Sequence, residues 1–384
     1  MLSKWKKLFL FLLASTFMWL LGTSFLPSTI NLAAINRNYA ADRSYITVFP
    51  HRHLRNTSHK LILLWTKYFG SDNWNFRHDF LQSCSSSTCK VTSDRSSLAE
   101  SDAVLFNSRD LDASTVFPKT RTPEQVWALH NSEPPYYIYT DLALFNGVFN
   151  WTSWFRQDAD IYSPYGDYKE VDKDKKINLP NFHAQKSNLS LWVASSCTDR
   201  ARRYRLINEI QKYMKIDTYG ACGRNICPKN SPKCHHIFRK YKFLFALENG
   251  HCRGYVTEKF WNAFRQDQIP VVWGGADYDK IAPPGSYINM KHFSSPRAVA
   301  MYLQHVANNA SLYNSYFRWR RRYELTPHQV VGWCHLCTAL HDRQRPAQLY
   351  TDLRGWVDAD TCHGYSVWGM MTDYIARFAF LIGF

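Results

Sequence analysis

Apolar positions along the chain fall into two regimes. The first is a nearly continuous apolar run over residues 8–26, preceded by Lys4, Lys6 and Lys7. Such a run is long enough to cross a bilayer as a helix. Lysines before it and few charges just after it orient the N-terminus to the cytosol. A cleaved signal peptide is the rival reading, but its apolar core is usually shorter. The expected order is therefore a cytoplasmic tail over 1–7, a transmembrane signal-anchor over 8–26 and a polar, aperiodic stem over 27–57. From 58 onward the second regime begins, in which short apolar runs alternate with stretches of helical period. Strands are expected at 60–65, 103–106, 191–195, 216–219, 242–247 and 269–273, with a weaker candidate at 136–139. Helices are expected over 203–214, where Leu206, Ile207, Ile210 and Met214 share a face, and over 257–265, where Phe260, Ala263 and Phe264 do. The charged stretch 167–178 reads as a linker or exposed loop. Strands alternating with helices predict parallel sheets covered by helices. The length suits two such domains facing a cleft, one over 58–178 and one over 179–363. In the tail, 364–384, Met371, Tyr374, Ile375, Phe378 and Leu381 share a helical face that reads as a packing surface.

Composition narrows the class. Hydrophobic residues make up 45% of the 384, which allows a large core and excludes global disorder. The 14 Trp, 23 Tyr and 24 Phe suit sugar-facing surfaces as well as cores. A formal net charge of +16 points to an acidic ligand, an anionic membrane surface or nucleic acid. The apolar N-terminal run sends the chain into the secretory lumen, which excludes nucleic acid. Ten cysteines suit disulfides in that oxidising compartment. Four N-x-S/T sequons, at Asn56, Asn150, Asn188 and Asn309, are glycosylation candidates.

The densest chemistry lies in 241–275. A strand there runs into a loop carrying Glu248, Asn249, His251 and Arg253, then into Thr257, a good N-cap, and a helix. Ligands of open α/β sheets sit at the carboxyl ends of the strands. A helix N-terminus at that place attracts phosphate through its free N–H groups and its dipole. Lys259 in the first turn would add a full positive charge, and Glu258 could accept hydrogen bonds from ribose hydroxyls. The same two residues are also what a solvated first turn carries, and no glycine-rich phosphate fingerprint accompanies them. At the far end, Cys334-His335-Leu336-Cys337 could hold zinc with a second ligand pair, act as a redox motif, or form structural disulfides.

The residues of this stretch resemble the α1,3-fucosyltransferase family, glycosyltransferase family 10. Phe243-Leu244-Phe245-Ala246-Leu247-Glu248-Asn249-Gly250, Tyr255-Val256-Thr257-Glu258-Lys259, Ala263 and Pro270-Val271-Val272-Trp273-Gly274 follow the family's best-known motif. Trp127, Glu133 and Pro135 resemble its acceptor-side W-x(n)-E-S-P segment. Phe149-Asn150-Trp151-Thr152, with Arg156, Asp158, Asp160-Ile161 and Pro164-Tyr165-Gly166, resembles a second run. Asp217 to Gly223 resembles a third, and Tyr316-Phe317, Trp319 and the C-x-x-C extend the likeness to about residue 340.

The resemblance implies a GT-B architecture: two Rossmann-like domains facing a cleft, the first towards the acceptor and the second holding GDP-fucose. It implies an inverting transfer of L-fucose from GDP-β-L-fucose to O3 of GlcNAc in a glycan on a glycoprotein or glycolipid, with N-acetyllactosamine-type antennae and the innermost GlcNAc of N-glycans both open as acceptors. The alternative is a catalytically inactive lumenal glycan-binding relative. By the resemblance Glu133 is the general base, although Pro134 stands where the family has Ser; Asp141 and Asp158 are the fallback carboxylates. Arg203, with Arg202 as the alternative register, and Lys259 go to the diphosphate and Glu258 to the ribose, while Tyr255 and Glu248 line the same pocket. Arg253-Gly254 stands where an acidic residue often precedes the tyrosine. Cys84 and Cys89 are the implied disulfide partners of Cys334 and Cys337. No D-x-D motif adjoins the diphosphate site, so no metal is expected to be obligatory, and Mn2+ stimulation stays open. A single-pass type II Golgi membrane protein with its catalytic part in the lumen is expected. The sequence is silent on oligomeric state.

Overall fold

A computed structural model describes residues 45–49, 55–72, 74, 76, 79–82, 84, 88–171, 177–197, 201, 203–228, 231–326, 330–359 and 362. The expected membrane span, Arg202 and the tail over 364–384 lie outside these. Among the described residues no helix is long and apolar enough to cross a membrane.

The N-terminal half begins with β1 (Ile46–Phe49), β2 (Lys60–Leu64), a short helix α1 (Asp79–Gln82) and β3 (Cys89–Thr92). It continues through β4 (Ala103–Asn107), β5 (Val126–His130), β6 (Trp151–Trp154), β7 (Ile161–Tyr162) and β8 (Tyr168–Glu170). Six of these strands form a sheet in the order β3-β2-β4-β5-β6-β7, parallel at every pairing. The runs LILL in β2 and AVLF in β4 are unbroken apolar stretches because a parallel sheet is buried on both faces. Lys60 opens β2 buried, paired with Asp102 at 3.4 Å, whose carboxylate also accepts from the Leu61 N–H.

The C-terminal half carries β9 (Asn188–Val193), α2 (Arg203–Gln211), β10 (Asp217–Tyr219), α3 (Pro232–Phe238) and β11 (Tyr241–Leu247). Then come α4 (Glu258–Arg265), β12 (Ile269–Trp273), α5 (Tyr278–Ile281), β13 (Ile288–Asn289), α6 (Pro296–Asn308), α7 (Ala310–Ser315) and β14 (Tyr323–Leu325). Its five-stranded sheet, β10-β9-β11-β12-β13, is also parallel. One face packs on α2 and α6 through Leu206, Ile207, Val299 and Leu303. The other packs on α4 through Phe260, Trp261 and Phe264. Each of these large side chains contributes roughly 1.5–3 kcal/mol by its burial.

Several expectations need correction. The candidate strand at 136–139 is a 3-10 turn over Pro135–Tyr137, because consecutive prolines remove two N–H donors and preset φ. Within the expected stem, 46–49 is β1, antiparallel to β15 (Ala347–Tyr350); four residues of β-former were too few to show a period. Within the expected linker, β8 pairs antiparallel with β14. The last segment does not stay with the C-terminal sheet. Helix α8 (Val330–His341) contributes Leu336, Cys337 and Leu340 to the core under β2, β4 and β5. β15 and α9 (Leu353–Asp358) add Tyr350, Leu353, Trp356 and Val357 to the opposite face of the N-terminal sheet.

Disulfides Cys84–Cys334 and Cys89–Cys337 tie α8 down, joining the implied partners and deciding which bonds which. Cys197–Cys222, Cys227–Cys234 and Cys252–Cys362 take up the other six cysteines, so the zinc and redox readings of the C-x-x-C fall away.

Candidate active site

The site grows from the carboxyl ends of β11 and β12. After Leu247 the chain turns out of the sheet at Glu248, and Thr257 opens α4 nine residues later. The expected Thr257 side-chain cap is not made. Instead the Glu248 carboxylate accepts from the Thr257 N–H at 2.7 Å and from its hydroxyl at 2.8 Å. Lys259 Nζ lies 3.5 Å from Glu248 and 3.2 Å from Glu258, and donates to Thr257 Oγ1 at 2.8 Å.

The three charges sit in different surroundings. Glu248 is 0% exposed, and burial pushes its carboxyl up while Lys259 pulls it back. Burial alone would lower Lys259, but Glu248 and Glu258 outweigh it and hold the ammonium above its ordinary value. Glu258 is held low, because the neighbouring Lys259 and local hydrogen bonds overcome its burial. Lys259 and Glu258 keep 24% and 43% of their side chains exposed, so they offer the cleft a cation beside a carboxylate.

Arg203 at the start of α2 is 2% exposed. Its guanidinium donates to Leu247 O and Ser196 O, both at 3.1 Å, where β11 and β9 end. It is close enough to Lys259 to act on its proton affinity. The C-terminal half thus places two cations at the ends of adjacent parallel strands.

Glu133 comes from the other half, in the turn after β5. Asn131 fixes the backbone there: its Oδ1 accepts from the Glu133 N–H at 3.0 Å and its Nδ2 donates to Glu133 O at 2.7 Å. Trp154 Nε1 donates to the same carbonyl at 3.0 Å. Burial raises the Glu133 carboxyl and Glu258 adds to the rise, while Lys259, Arg109 and a hydrogen bond from the Asn249 side chain draw it down. Lys259, from the other half, is thus near enough to favour the charged form of Glu133.

Two contacts hold the halves in this register. Tyr136 Oη donates to Asn249 O at 3.2 Å, and a Cβ on Gly250 would fall 1.6 Å from that Oη. Glycine at 250 is thus what lets the Glu133 turn close onto the 248–257 loop. Tyr255, 1% exposed, packs 4.8 Å from Phe155 in the N-terminal core. Neither Tyr255 nor Glu248 offers the cleft a surface: one is an anchor, the other a buried strut beneath Lys259.

Arg253 gains a role at the same seam. It reaches Asp158 at 3.4 Å, and Asp158 is held low against its own burial by the hydrogen bonds and charge of Arg156 and the charge of Arg253. Arg156, buried, grips that carboxylate at 2.9 and 2.7 Å and donates to Trp356 O at 2.8 Å. That engagement takes Asp158 out of the running as a base. Asp141 is occupied in capping the turn Leu142–Phe145.

The sequence reading did not find Asn131, Tyr136 or Arg109. Asn131 had a local signal, an Asn two residues before an acid and before two prolines, which favours an Asx turn; the other two had none. The sequon at Asn150 is also revised. Its Nδ2, the atom a glycan would take, donates to Gln348 O at 2.9 Å. Its Oδ1 accepts from the Trp127 N–H at 3.0 Å and from Arg121. The amide clips β5, β6 and β15 together. Asn188 opens β9 half-buried, whereas Asn56 and Asn309 are exposed.

Comparison with known proteins gives the family and the fold. The family model "Glycosyltransferase family 10 (fucosyltransferase) C-term" matches residues 183–356, and "Fucosyltransferase, N-terminal" matches 57–166. The chain is 31% identical to α-(1,3)-fucosyltransferase C of Drosophila melanogaster, over 79% of each chain. It is 34% identical to glycoprotein 3-α-L-fucosyltransferase A of the same organism, over 77% of this chain and 60% of that one. It is 32% identical to α-(1,3)-fucosyltransferase 7 of Rattus norvegicus, over 78% and 80%. Among solved structures, an α1,3-fucosyltransferase crystallised with GDP superposes with a TM-score of 0.50 at 14% identity, covering 82% of this chain and 95% of that one.

Proposed function

The chain belongs to glycosyltransferase family 10, the fucosyltransferases, and from that premise we propose that it moves L-fucose from GDP-β-L-fucose to O3 of a GlcNAc residue in a glycan, through a GT-B cleft. The observation that carries this reading is the closing of the Glu133 turn onto the 248–257 loop, where Tyr136 Oη donates to Asn249 O at 3.2 Å and Gly250 leaves room for it. As the acceptor O3 attacks the anomeric carbon, Glu133 takes the hydroxyl proton. The new C–O bond forms as the bond from fucose to the β-phosphate breaks, so a β-linked donor gives an α-linked product in one displacement. The electrons leave with GDP, whose growing charge meets Lys259, backed by Arg203. Glu258 accepts from the ribose. Asn249 holds the base carboxylate towards the cleft.

Fixed protein cations at the diphosphate are the ground for reading the reaction as needing no obligatory metal. Lys4, Lys6 and Lys7 before the apolar run 8–26 support a type II Golgi membrane protein with this site in the lumen. Neither reading of that run alters the chemistry. The test is incubation with GDP-fucose and N-acetyllactosamine in the presence of EDTA, with the product linkage read by NMR. The expected product carries α1,3-linked fucose on GlcNAc, and UDP-sugars are not used. Equal transfer from UDP-sugars, or a product linked elsewhere, refutes the reading.

A further inference from the structure

Beside Glu133, on the N-terminal half, lies a cavity of about 70 Å³ that no step above uses. It sits by the carboxyl ends of β5, β6 and β7. Its wall includes Tyr68, Trp74, His130, Ser132, Ser163 and Trp333. Tyr68 stacks on Trp74 at 5.4 Å, and His130 closes the group at 5.9 and 5.4 Å from the two rings. Trp333, brought in by the doubly tethered α8, lies 6.5 Å from Trp74. Helix α8 reaches this wall because Gly332 has no side chain: a Cβ there would fall 2.1 Å from Ser163 Oγ. Trp74 is held with φ +52, a left-handed conformation costly for a bulky residue and usually kept where it serves a site.

Polar groups converge on the same space. Tyr68 Oη and Ser132 Oγ are 3.2 Å apart, and His130 Nδ1 is 3.1 Å from Ser153 Oγ. Glu133 follows Ser132 directly and its charge acts on Tyr68. Burial pushes His130 down to about 4, so its neutral ring can both donate and accept a hydrogen bond.

The size of the cavity selects the occupant. One water needs roughly 10–15 Å³ on this measure, so there is room for a group of a few heavy atoms and not for a sugar ring. When O3 of an acceptor GlcNAc lies at Glu133, the next ring carbon, C2, carries an acetamido group within a few ångströms. That group has one methyl, one carbonyl acceptor and one N–H donor, which match aromatic walls set with hydroxyls and a neutral imidazole.

We propose that this cavity receives the 2-acetamido group of the acceptor sugar and selects GlcNAc over glucose. The inference rests on the reading of Glu133 as the base for O3.

The test compares kcat/KM of the full-length protein for N-acetyllactosamine and lactose, which differ at this substituent. The wild type should favour the acetamido acceptor by at least about tenfold, as expected of a site built to pair polar groups. Ser163→Leu, which fills the cavity, should lose that preference by lowering transfer to N-acetyllactosamine alone, with lactose within about threefold. Trp333→Ala, which opens the wall, should also narrow the ratio. Unchanged GDP affinity in both variants certifies folding. Equal use of both acceptors by the wild type, or an equal loss on both in each folded variant, overturns the inference. Transfer that Glu133→Gln abolishes but that ignores the 2-substituent overturns this inference and leaves the function standing. No transfer to either acceptor, nor to a glycopeptide that offers the innermost GlcNAc of an N-glycan, overturns both.

Discussion

Replacing Lys259 with Ala removes two things at once, and the structure allows them to be separated. Lys259 is the cation proposed for the diphosphate, and it is also the ionic partner of Glu248, which has no exposure to water. Leaving a buried charge unpaired typically costs about 3–5 kcal/mol. Glu248 has an escape, which is to take up a proton. Neutralising a carboxyl of ordinary value 4.5 at pH 7 costs roughly 3.4 kcal/mol, at about 1.4 kcal/mol per pH unit, and that sets a ceiling on the loss of stability. The sign follows. A carboxyl whose folded value lies above its unfolded one supports folding at low pH and opposes it as pH rises. Lys259→Ala should therefore be nearly as stable as wild type at pH 5 and clearly weaker at pH 7.5. Urea unfolding at the two pH values measures this.

Lys259→Ala combined with Glu248→Gln removes the orphaned charge and should regain most of the stability at pH 7.5. It should not regain GDP affinity. Loss of a charge-assisted contact to phosphate should weaken GDP by about 1.5–3 kcal/mol in both variants, read by calorimetry. Stability of the single variant that is flat in pH, or a double variant that regains GDP binding, refutes the reasoning.

Glu133→Gln should lower transfer by about 10²–10⁴-fold while GDP affinity is kept, because the base is lost and the donor contacts are not. Because burial holds the Glu133 carboxyl high, the acid limb of kcat/KM against pH should lie above the ordinary carboxylate range, and a limb near 4 contradicts the assignment. Glycopeptide mapping of the chain expressed through the secretory pathway should find Asn150 unmodified, since its Nδ2 is engaged with Gln348; a glycan there contradicts the clip across β5, β6 and β15.

How much could be read along the chain depended on how local the cause was. The strand–loop–helix–strand unit from β11 to β12 was legible because each part is dictated by its own neighbours. An unbroken apolar run must be buried on both faces, a Thr precedes the helical period, and a second apolar run follows. The expected strand over 269–273 agrees with β12 to the residue. β5 and β6 were missed although their sequences, VWALH and WTSW, are nearly as buried as β12, because runs of four or five residues are too short to announce a period. Lys259, Glu258 and Glu133 were singled out by residue type and family likeness; the fold sets Lys259 3.2 Å from Glu258 at the start of α4 and puts Glu133 in the turn after β5.

The sequence by itself determined the parallel α/β class, the strand–loop–helix unit with its cation, and, through likeness, the chemistry to expect. Which side chains face the cleft was decided only by the fold. Tyr255 sits beside Lys259 in the motif, yet a core belonging to the other half absorbs it. Glu248 has the composition of a ligand but is a strut. The chain's last segment returns across some 250 residues to wall the cavity beside Glu133. The physical reason is the same in each case. Periodicity and capping act over a few neighbouring residues, whereas burial, ion pairing and the closing of a wall depend on which distant surface arrives, and one stretch of sequence carries no record of that surface.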